Sequence, residues 1–493
     1  MKALFFFPAT GYYNRALSNP LGLLSIASFL KRRGHDVKIL DRNIGKIDIR
    51  REISEFAPDA VGISVMSARG VNDAVKISKT AKDAGVVVIW GGQMPTLSTE
   101  MALTCPYVDY VAMGEGEYVW EDILNAVSKG LPIADIPGVA SRGENGEVRA
   151  VPCRPFADLR DIGPLDFTLL KMEKYTQTYL GCKKMVYLYS AKGCPGRCAF
   201  CSNTTFHKSV FRKRPVDFVI QELKFLTENY GVDGVYFSDE LWCLRREEML
   251  EFCRELVRSG INIRFGIQMR VGILKEEDYK LLYDCGCRWV FFGIESGNAE
   301  MQKRIHKYMP SEKIRETFEM TDRIGLTSFA SMIIGYPDET EEQLRDSVRL
   351  MNSVKASMRP VYHFTPLPGT EFYREVVERG IYEPPRTLKK MSSVIETESL
   401  GVNLSKVPDV DLKVIRSWYN WQAFSDKSAL KSGKKFEFAL DTIRSGLHSI
   451  SMQGVFSFFV NGFAAFREFV STFWYSHAYP DIVKKYELNV YYK

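Results

Sequence analysis

Histidine and long apolar runs are scarce in this chain. Only 6 of its 493 residues are histidine, and the apolar residues, 45% of the total, do not form a long unbroken segment. A membrane span needs about 18 consecutive apolar residues. The N-terminal residues 1–15 carry too short an apolar run for a signal peptide, and no small-residue cleavage site follows. We therefore expect a cytoplasmic protein.

The chain also lacks a large excess of basic or acidic residues. The chain has 66 basic and 60 acidic residues, which leaves a net charge of +6. A nucleic-acid-binding protein usually carries a strongly basic surface. This balance does not favour a nucleic-acid partner.

The ten cysteines do not indicate a disulfide framework. Disulfide scaffolds belong to small secreted domains, whereas this chain is long enough for two or three domains. Seven cysteines are scattered, and we interpret them as small buried apolar side chains, including Cys285 and Cys287. The remaining three lie close together and are treated below.

The first third of the chain alternates strand-like and helix-like segments. Continuous apolar runs separated by amphipathic helices predict an α/β fold with a parallel, doubly wound, Rossmann-like sheet covered on both faces. The predicted strands are residues 2–8, 36–43, 59–67, 86–92 and 108–117.

Small and polar residues follow three of these strands. Ligands of such sheets bind beyond the carboxyl ends of the strands, where glycines allow a bulky ligand to approach the backbone. No G-x-G-x-x-G follows the first strand, so a nicotinamide or flavin dinucleotide is disfavoured. The candidate ligand-binding residues are Ser64, Val65, Met66, Gly91, Gly92, Gln93, Gly114, Glu115 and Glu117.

This layout resembles the cobalamin-binding domain that precedes many radical S-adenosylmethionine (SAM) enzymes. The segments "NPLGLLSIASFLKRRGHDVKILD", "IWGGQMPT" and "GEGE" carry the resemblance. It implies that the nine candidate residues contact cobalamin. The D-x-H-x-x-G motif that supplies an axial histidine in some families is absent, so cobalamin is expected without a histidine ligand from the protein. The alternative is a sheet domain that binds no ligand.

Three cysteines lie within eight residues in "AKGCPGRCAFCSN". Cys194, Cys198 and Cys201 form a C-x₃-C-x₂-C run that suits three irons of a four-iron cluster and leaves one iron open. A zinc site would need a fourth ligand, for which His207 is the nearest candidate. The cluster is the favoured interpretation.

The cysteine run resembles the signature of the radical SAM superfamily, and the segments after it agree. The resemblance implies a partial (β/α)₆ barrel whose [4Fe–4S] cluster binds SAM, with Phe200 against the adenine and Glu295 at the ribose. The residues that it implies as SAM contacts are Phe200, Ser238, Asp239, Glu240, Gln268, Arg270, Glu295, Ser296 and Gly335. Structural alternatives are a helix-capping role for Asp239 or Glu240 and a surface charge for Arg270.

Four regions follow from these assignments. We expect a cobalamin-binding domain at residues 1–135, a connector at 136–185 with a hairpin at "RGENGE", a radical SAM barrel at 186–385 and a helical C-terminal domain at 386–493. The last contains an apolar stripe at helical spacing. Three roles are open for this stripe: packing on its own domain, covering an apolar substrate, or lying on a membrane surface. The stripe consists of Phe456, Phe459, Phe463, Phe466, Val470 and Phe473.

Together the resemblances imply a cobalamin-dependent radical SAM enzyme, most readily a class B C-methyltransferase. Such an enzyme methylates an unactivated carbon through a 5′-deoxyadenosyl radical and methylcobalamin. The alternatives are cyclisation, ring contraction or oxygen insertion with the same cofactors, a radical SAM enzyme with an empty N-terminal domain, and a non-catalytic sensor. The expected partners are a small-molecule, lipid or peptide substrate and an electron donor such as flavodoxin or ferredoxin. No catalytic side chain is assigned.

Overall fold

A computed structural model describes residues 1–10, 18–393, 400–425, 470, 474–475 and 477–489. These residues form two compact units. The first unit comprises residues 1–175 and 384–396, and the second comprises residues 176–383 and 397–493. The expected boundaries at 135, 185 and 385 stay predictions.

The first unit is built on a seven-stranded sheet. Its strand order is β2-β1-β3-β4-β5-β6-β7, and β1 to β5 are parallel, while β6 and β7 are antiparallel. The antiparallel pair is the hairpin predicted at "RGENGE", and it extends the sheet. The strands are β1 (Lys2–Phe7), β2 (Asp36–Asp41), β3 (Ala60–Ser64), β4 (Val87–Gly91), β5 (Tyr110–Ala112), β6 (Val139–Arg142) and β7 (Val148–Ala150).

Helices connect these strands and bury both faces of the sheet. Phe5 points to one apolar cluster, and Leu4 and Phe6 point to another, because successive side chains of a strand alternate between faces. The predicted doubly wound fold is confirmed. The helices are α1 (Leu21–Arg32), α2 (Ile49–Phe56), α3 (Val71–Asp83), α4 (Gln93–Leu97), α5 (Thr99–Leu103), α6 (Glu117–Lys129) and α7 (Leu159–Ile162).

The second unit contains a curled half-barrel sheet. Its order is β16-β15-β14-β13-β12-β9-β8, with six parallel strands and an antiparallel β8 at one edge. A two-stranded ribbon of β10 and β11 lies beside it. The strands are β8 (Gln177–Tyr179), β9 (Cys182–Leu188), β10 (Ala191–Lys192), β11 (Arg212–Lys213), β12 (Gly234–Phe237), β13 (Arg264–Met269), β14 (Cys287–Glu295), β15 (Thr327–Ile334) and β16 (Val361–His363).

One face of the half-barrel is covered by helices. Phe237 of β12 packs on Phe252 of α10 with ring centroids 5.7 Å apart, and Phe292 of β14 packs on Phe318 of α13 at 5.3 Å. The predicted partial (β/α)₆ barrel is confirmed. The helices of this unit are α8 (Asn203–Phe206), α9 (Val216–Tyr230), α10 (Arg246–Ser259), α11 (Glu276–Asp284), α12 (Ala299–Arg304), α13 (Ser311–Ile324), α14 (Glu341–Ser353) and α15 (Glu371–Glu378). The next helix, α16 (Leu388–Met391), belongs to the first unit, where it packs on α3. The second unit then continues with α17 (Asp409–Ser425) and α18 (Pro480–Lys485).

The predicted apolar stripe at 456–473 lies outside the described residues except for Val470, which is 44% exposed. Among the helices that the structure does describe, none combines the length and apolarity that crossing a bilayer demands.

Candidate cluster and SAM site

The three clustered cysteines occupy the loop between β10 and α8. Two hydrogen bonds with Asn203 hold the start of this loop: the Cys194 N–H donates to Asn203 Oδ1 at 3.1 Å, and Asn203 Nδ2 donates to the Cys194 carbonyl at 2.7 Å. The Cys201 N–H donates to the Cys198 carbonyl at 3.0 Å. All three thiols are free of disulfides. The backbone of the loop is therefore fixed by its own contacts.

Gly196 lies against two of the sulfur atoms. A Cβ built at Gly196 would lie 3.4 Å from Cys194 Sγ and 3.8 Å from Cys198 Sγ. It would also lie 4.0 Å from Arg270 Nη1, at the carboxyl end of β13. Gly196 therefore lies beside two of the sulfur atoms and the Arg270 guanidinium, at ordinary contact distance for a Cβ.

Positive charge from two side chains faces these thiols. Burial raises the pKa of Cys198, while Lys307 and Arg270 act in the opposite direction. Burial likewise raises the pKa of Cys201 to about 12, and Lys307 again opposes it. Metal ligation requires the thiolate form, and the two cations favour that form. This donor set fits a soft-metal cluster.

A single metal ion does not fit the same residues. Among the described residues, no group of three or more His, Cys, Asp or Glu side chains converges on a position for one ion. Structural zinc requires such convergence of four ligands, whereas each thiolate of a cubane binds a different iron. His207, the conceivable fourth zinc ligand, instead pairs with Glu240, with Nε2 and Oε1 3.3 Å apart.

Glu295 ends β14 in an unusual backbone conformation. Its φ is +68°, a region that non-glycine residues seldom adopt, and the pairing with β15 shifts register between Gly293 and Glu295. Its carboxylate accepts a hydrogen bond from Lys307 Nζ at 2.9 Å, and both side chains are nearly buried. Such strain is typical of functional sites. Burial alone would lower the pKa of Lys307, but Glu295 and Cys198 raise it.

Sequence reasoning missed Lys307. The residue lies in the loop after α12, where "RIHKYM" shows no motif that marks a site. Only the fold brings it to Glu295, Cys198 and Cys201. Arg270 adjoins it, since its guanidinium donates to the Lys307 carbonyl.

Two of the predicted SAM contacts brace the cysteine loop. Asp239 is 1% exposed and accepts hydrogen bonds from the Ser190 N–H at 2.7 Å, the Ser190 hydroxyl at 2.6 Å and the Ala191 N–H at 3.1 Å. Glu240 accepts from the Gly193 N–H at 3.0 Å. Burial opposes the ionisation of Glu240, but its contacts with His207 and Gly193 leave its pKa lowered. Both carboxylates thus fix the backbone just before Cys194.

The remaining predicted SAM residues are held by different partners. The Ser238 hydroxyl donates to the Leu188 carbonyl at 3.2 Å, and the Gln268 backbone carbonyl oxygen accepts from the Trp242 N–H at 2.9 Å. The buried Ser296 hydroxyl lies 3.1 Å from that of Ser347.

Phe200 and Gly335 belong to one part of the site. Phe200 packs on Tyr336 with ring centroids 5.8 Å apart, and Gly335, with φ +83°, donates its N–H to Glu339 Oε2 at 2.7 Å. Phe200, Arg270, Glu295 and the cysteines therefore lie in one neighbourhood. The SAM contacts themselves stay predictions.

The predicted cobalamin residues of the first unit meet at the carboxyl edge of β3, β4 and β5. The Val65 N–H donates to the Gly91 carbonyl at 2.8 Å. A Cβ at Gly92, whose φ is +96°, would lie 3.0 Å from the Val65 carbonyl oxygen. The Gly114 N–H donates to the Thr96 hydroxyl at 3.0 Å. The edge is therefore tightly packed backbone.

Side chains at that edge differ in exposure. Met66 is 47% exposed, Ser64 and Glu117 are buried, and Glu117 accepts from the Ser25 hydroxyl at 2.6 Å. Gln93 begins α4, and Glu115 lies two residues before α6. Contacts of the nine residues with cobalamin stay predictions.

Comparison with known protein families supports the assignment of the first unit as a B12-binding domain and of the second as a radical SAM domain. The B12 binding domain matches residues 16–124, and the radical SAM superfamily matches residues 188–351. An uncharacterized methyltransferase of Pyrococcus horikoshii is 31% identical over 369 residues, which cover 73% of this chain and 79% of that protein. Anaerobic magnesium-protoporphyrin IX monomethyl ester cyclase of Rubrivivax gelatinosus is 28% identical, covering 73% and 66% respectively.

Solved structures share the fold. The radical SAM methyltransferase TsrM of Kitasatospora setae matches with a TM-score of 0.65 at 19% identity, over 78% of this chain and 77% of that one. The cobalamin-dependent radical enzyme OxsB matches with a TM-score of 0.71 at 16% identity, over 91% and 72%.

The fold and the cysteine loop define an iron–sulfur enzyme built on a half-barrel, joined to a corrin-binding sheet domain. The chain belongs to the family of radical SAM enzymes that carry a B12-binding domain. Membership implies a [4Fe–4S] cluster, SAM and cobalamin as its cofactors.

Proposed function

We propose that this enzyme methylates an unactivated carbon of its substrate. The main observation behind this proposal is that one chain contains both a B12-binding domain and a half-barrel with three free cysteine thiols on one loop. Methyltransferases among the similar proteins support the same activity: besides the Pyrococcus protein, hopanoid C-3 methylase of Methylococcus capsulatus is 26% identical over 71% of this chain.

Cys194, Cys198 and Cys201 would hold the cluster, and the edge formed by β3, β4 and β5 would hold cobalamin. When bound, the cluster supplies the electron that cleaves SAM, and cobalamin supplies a methyl carrier. The protein contributes binding and electrostatics. Lys307 and Arg270 place positive charge beside the thiolates, which stabilises the negative charge of a thiolate-ligated cluster.

The half-barrel side chains would orient SAM and keep water away. Phe200 offers an apolar ring, and Glu295 offers a carboxylate whose second oxygen is available for hydroxyl donors while Lys307 neutralises its charge. Asp239 and Glu240 would act on SAM indirectly, because their hydrogen bonds fix the loop that carries Cys194. Exclusion of water strengthens each of these interactions.

We further propose that cobalamin has no histidine ligand from this protein. His35 is the sole histidine in the sequence of residues 1–175 and 384–396. It directly precedes β2, at the amino end of that strand, whereas the predicted cobalamin residues follow the carboxyl ends of their strands.

The substrate would be a small molecule, a lipid or a peptide, and flavodoxin or ferredoxin would deliver the electron. Cyclisation is the second candidate activity, favoured by the 28% identity to the Rubrivivax cyclase. The product mass separates the two, since methylation adds one carbon and two hydrogens and cyclisation adds no carbon.

Label transfer tests the proposal without knowledge of the substrate. Anaerobic protein loaded with cluster and cob(I)alamin is incubated with SAM carrying a ¹³C-methyl group, and the bound corrin is extracted for mass spectrometry. We expect ¹³C-methylcobalamin from the wild-type protein. If the protein retains the corrin but the extracted corrin carries no ¹³C-methyl group, the result would contradict methyl transfer.

A further inference from the structure

Tyr336 is a buried tyrosine at the exit of β15. Its side chain is 0% exposed, and its ring packs against Phe200 at 5.8 Å, Phe364 at 5.6 Å and Phe372 at 5.9 Å. Three aromatic neighbours fix the ring, so the direction of its hydroxyl is also fixed.

The hydroxyl of Tyr336 has no hydrogen-bond partner among the described residues. Burial of an unpaired hydroxyl is costly, and buried tyrosines usually have a partner. The neighbouring carboxylate of Glu339 makes no hydrogen bond to it: Oε2 accepts from the Gly335 and Tyr336 N–H groups, and the buried Oε1 also has no partner among the described residues. The hydroxyl is therefore a donor whose acceptor is not among the described residues.

The surroundings of this hydroxyl are those of the candidate site. Burial raises the pKa of Tyr336 well above its usual range, and Glu295, Glu339, Cys198 and Cys201 add to that rise. The ring also packs against Phe200, so the phenol lies in the neighbourhood where Phe200 and Glu295 are expected to meet the adenine and the ribose of SAM.

We propose that Tyr336 donates a hydrogen bond to the adenosine part of SAM. The inference rests on the proposed SAM site and adds a polar contact that the sequence did not mark. Tyr336 follows Gly335 just after β15, in "MIIGYPDE", and its three aromatic contacts are made by the ring and not by the hydroxyl. A phenol is needed there only if its hydroxyl has an acceptor.

Tyr336→Phe removes the hydroxyl and keeps the ring. The measurement is SAM binding to the anaerobic, cluster-loaded protein by equilibrium dialysis, with competition by methylthioadenosine and by methionine. We expect a five- to tenfold weaker Kd for SAM, roughly the loss of one hydrogen bond to a neutral donor. Methylthioadenosine should lose affinity by the same factor, and methionine should lose none.

Tyr279→Phe is the matched control. Tyr279 is also 0% exposed, and its hydroxyl also has no partner among the described residues, but it lies on α11 and packs on Phe292 at 6.1 Å, with no cluster cysteine near its phenol. This variant should bind SAM like the wild type.

The electron paramagnetic resonance (EPR) spectrum of the reduced cluster, recorded without SAM, identifies the acceptor. An unchanged spectrum in Tyr336→Phe, together with weaker SAM binding, supports the proposal. A shifted spectrum with unchanged SAM binding would mean that the hydroxyl donates to the cluster, which would overturn the proposal. No change in either the spectrum or SAM binding would also overturn it. Failure of the wild-type protein to bind SAM would instead refute the proposed function.

Discussion

Asp239 has two possible roles, and a single substitution separates them. Family resemblance makes it a SAM contact, whereas the structure directs its two oxygens to Ser190 and Ala191. We expect Asp239→Ala to lower the iron bound per chain after anaerobic reconstitution to below half, because two buried N–H groups before Cys194 lose their acceptor. Iron analysis checks this result, and Asp284→Ala, an exposed acid on α11, serves as the control. Full iron content with abolished SAM binding would restore the role of a direct SAM contact.

Glu339 makes stability depend on pH. Burial raises its pKa to about 7, although the Gly335 and Tyr336 N–H groups pull it down. Because the folded state favours the neutral acid, this stabilisation is complete below the ordinary pKa of 4.5 and is lost as the pH rises to about 7. Urea unfolding at pH 4.5 and pH 8 tests the effect. The stability of Glu339→Gln relative to the wild type should increase at the higher pH, and a constant difference would contradict the assignment.

At the scale of elements, glycines let the strands of the half-barrel approach their neighbours. A Cβ at Gly266 of β13 would lie 2.9 Å from the Trp289 ring and 3.0 Å from the Tyr236 ring. We expect Gly266→Ala to destabilise the protein by about 1–3 kcal/mol through overpacking, measured by chemical denaturation. Gly22→Ala in α1, where a Cβ meets nothing within 4 Å, should cost nothing. Equal stability of the two variants would show that the sheet accommodates the added methyl group.

Local sequence patterns predicted most helices and strands, because the spacing of apolar residues reflects which side chains are buried. The runs of Val and Ile in β3 and β4 indicated strands covered on both faces, and "RGENGE" indicated the hairpin of β6 and β7. The patterns could not show that residues 384–396 return to the first unit, where Leu388 and Met391 pack beside α3. That contact joins segments about three hundred residues apart, and no local periodicity encodes it.

Site residues were predictable only where the chemistry restricts the residue type. Thiolate ligation requires cysteine, so the spacing of Cys194, Cys198 and Cys201 was informative. Lys307 lies twelve residues beyond Glu295, and the roles of Asp239 in bracing the loop and of Tyr336 depend on which atoms have partners. Such partnerships exist only in the folded chain, so sequence patterns did not reveal them.

At the scale of the whole molecule, the sequence contains one histidine in the unit that matches the B12-binding domain. We expect EPR of bound cob(II)alamin to be identical in the wild-type protein and in His35→Ala, since His35 precedes β2 and the candidate edge follows β3, β4 and β5. A nitrogen hyperfine splitting that disappears in the variant would show that His35 ligates cobalt.

The central claim is that the loop of Cys194, Cys198 and Cys201 holds a four-iron cluster to which SAM binds. EPR of the anaerobically reconstituted, dithionite-reduced protein, recorded with and without SAM, tests it most directly. We predict a [4Fe–4S]⁺ signal that changes when SAM is added, that is lost in Cys198→Ala and that is retained in Cys153→Ala, which removes an exposed cysteine of the first unit. A four-iron signal that persists in Cys198→Ala, or that SAM leaves unchanged in the wild-type protein, would contradict the account.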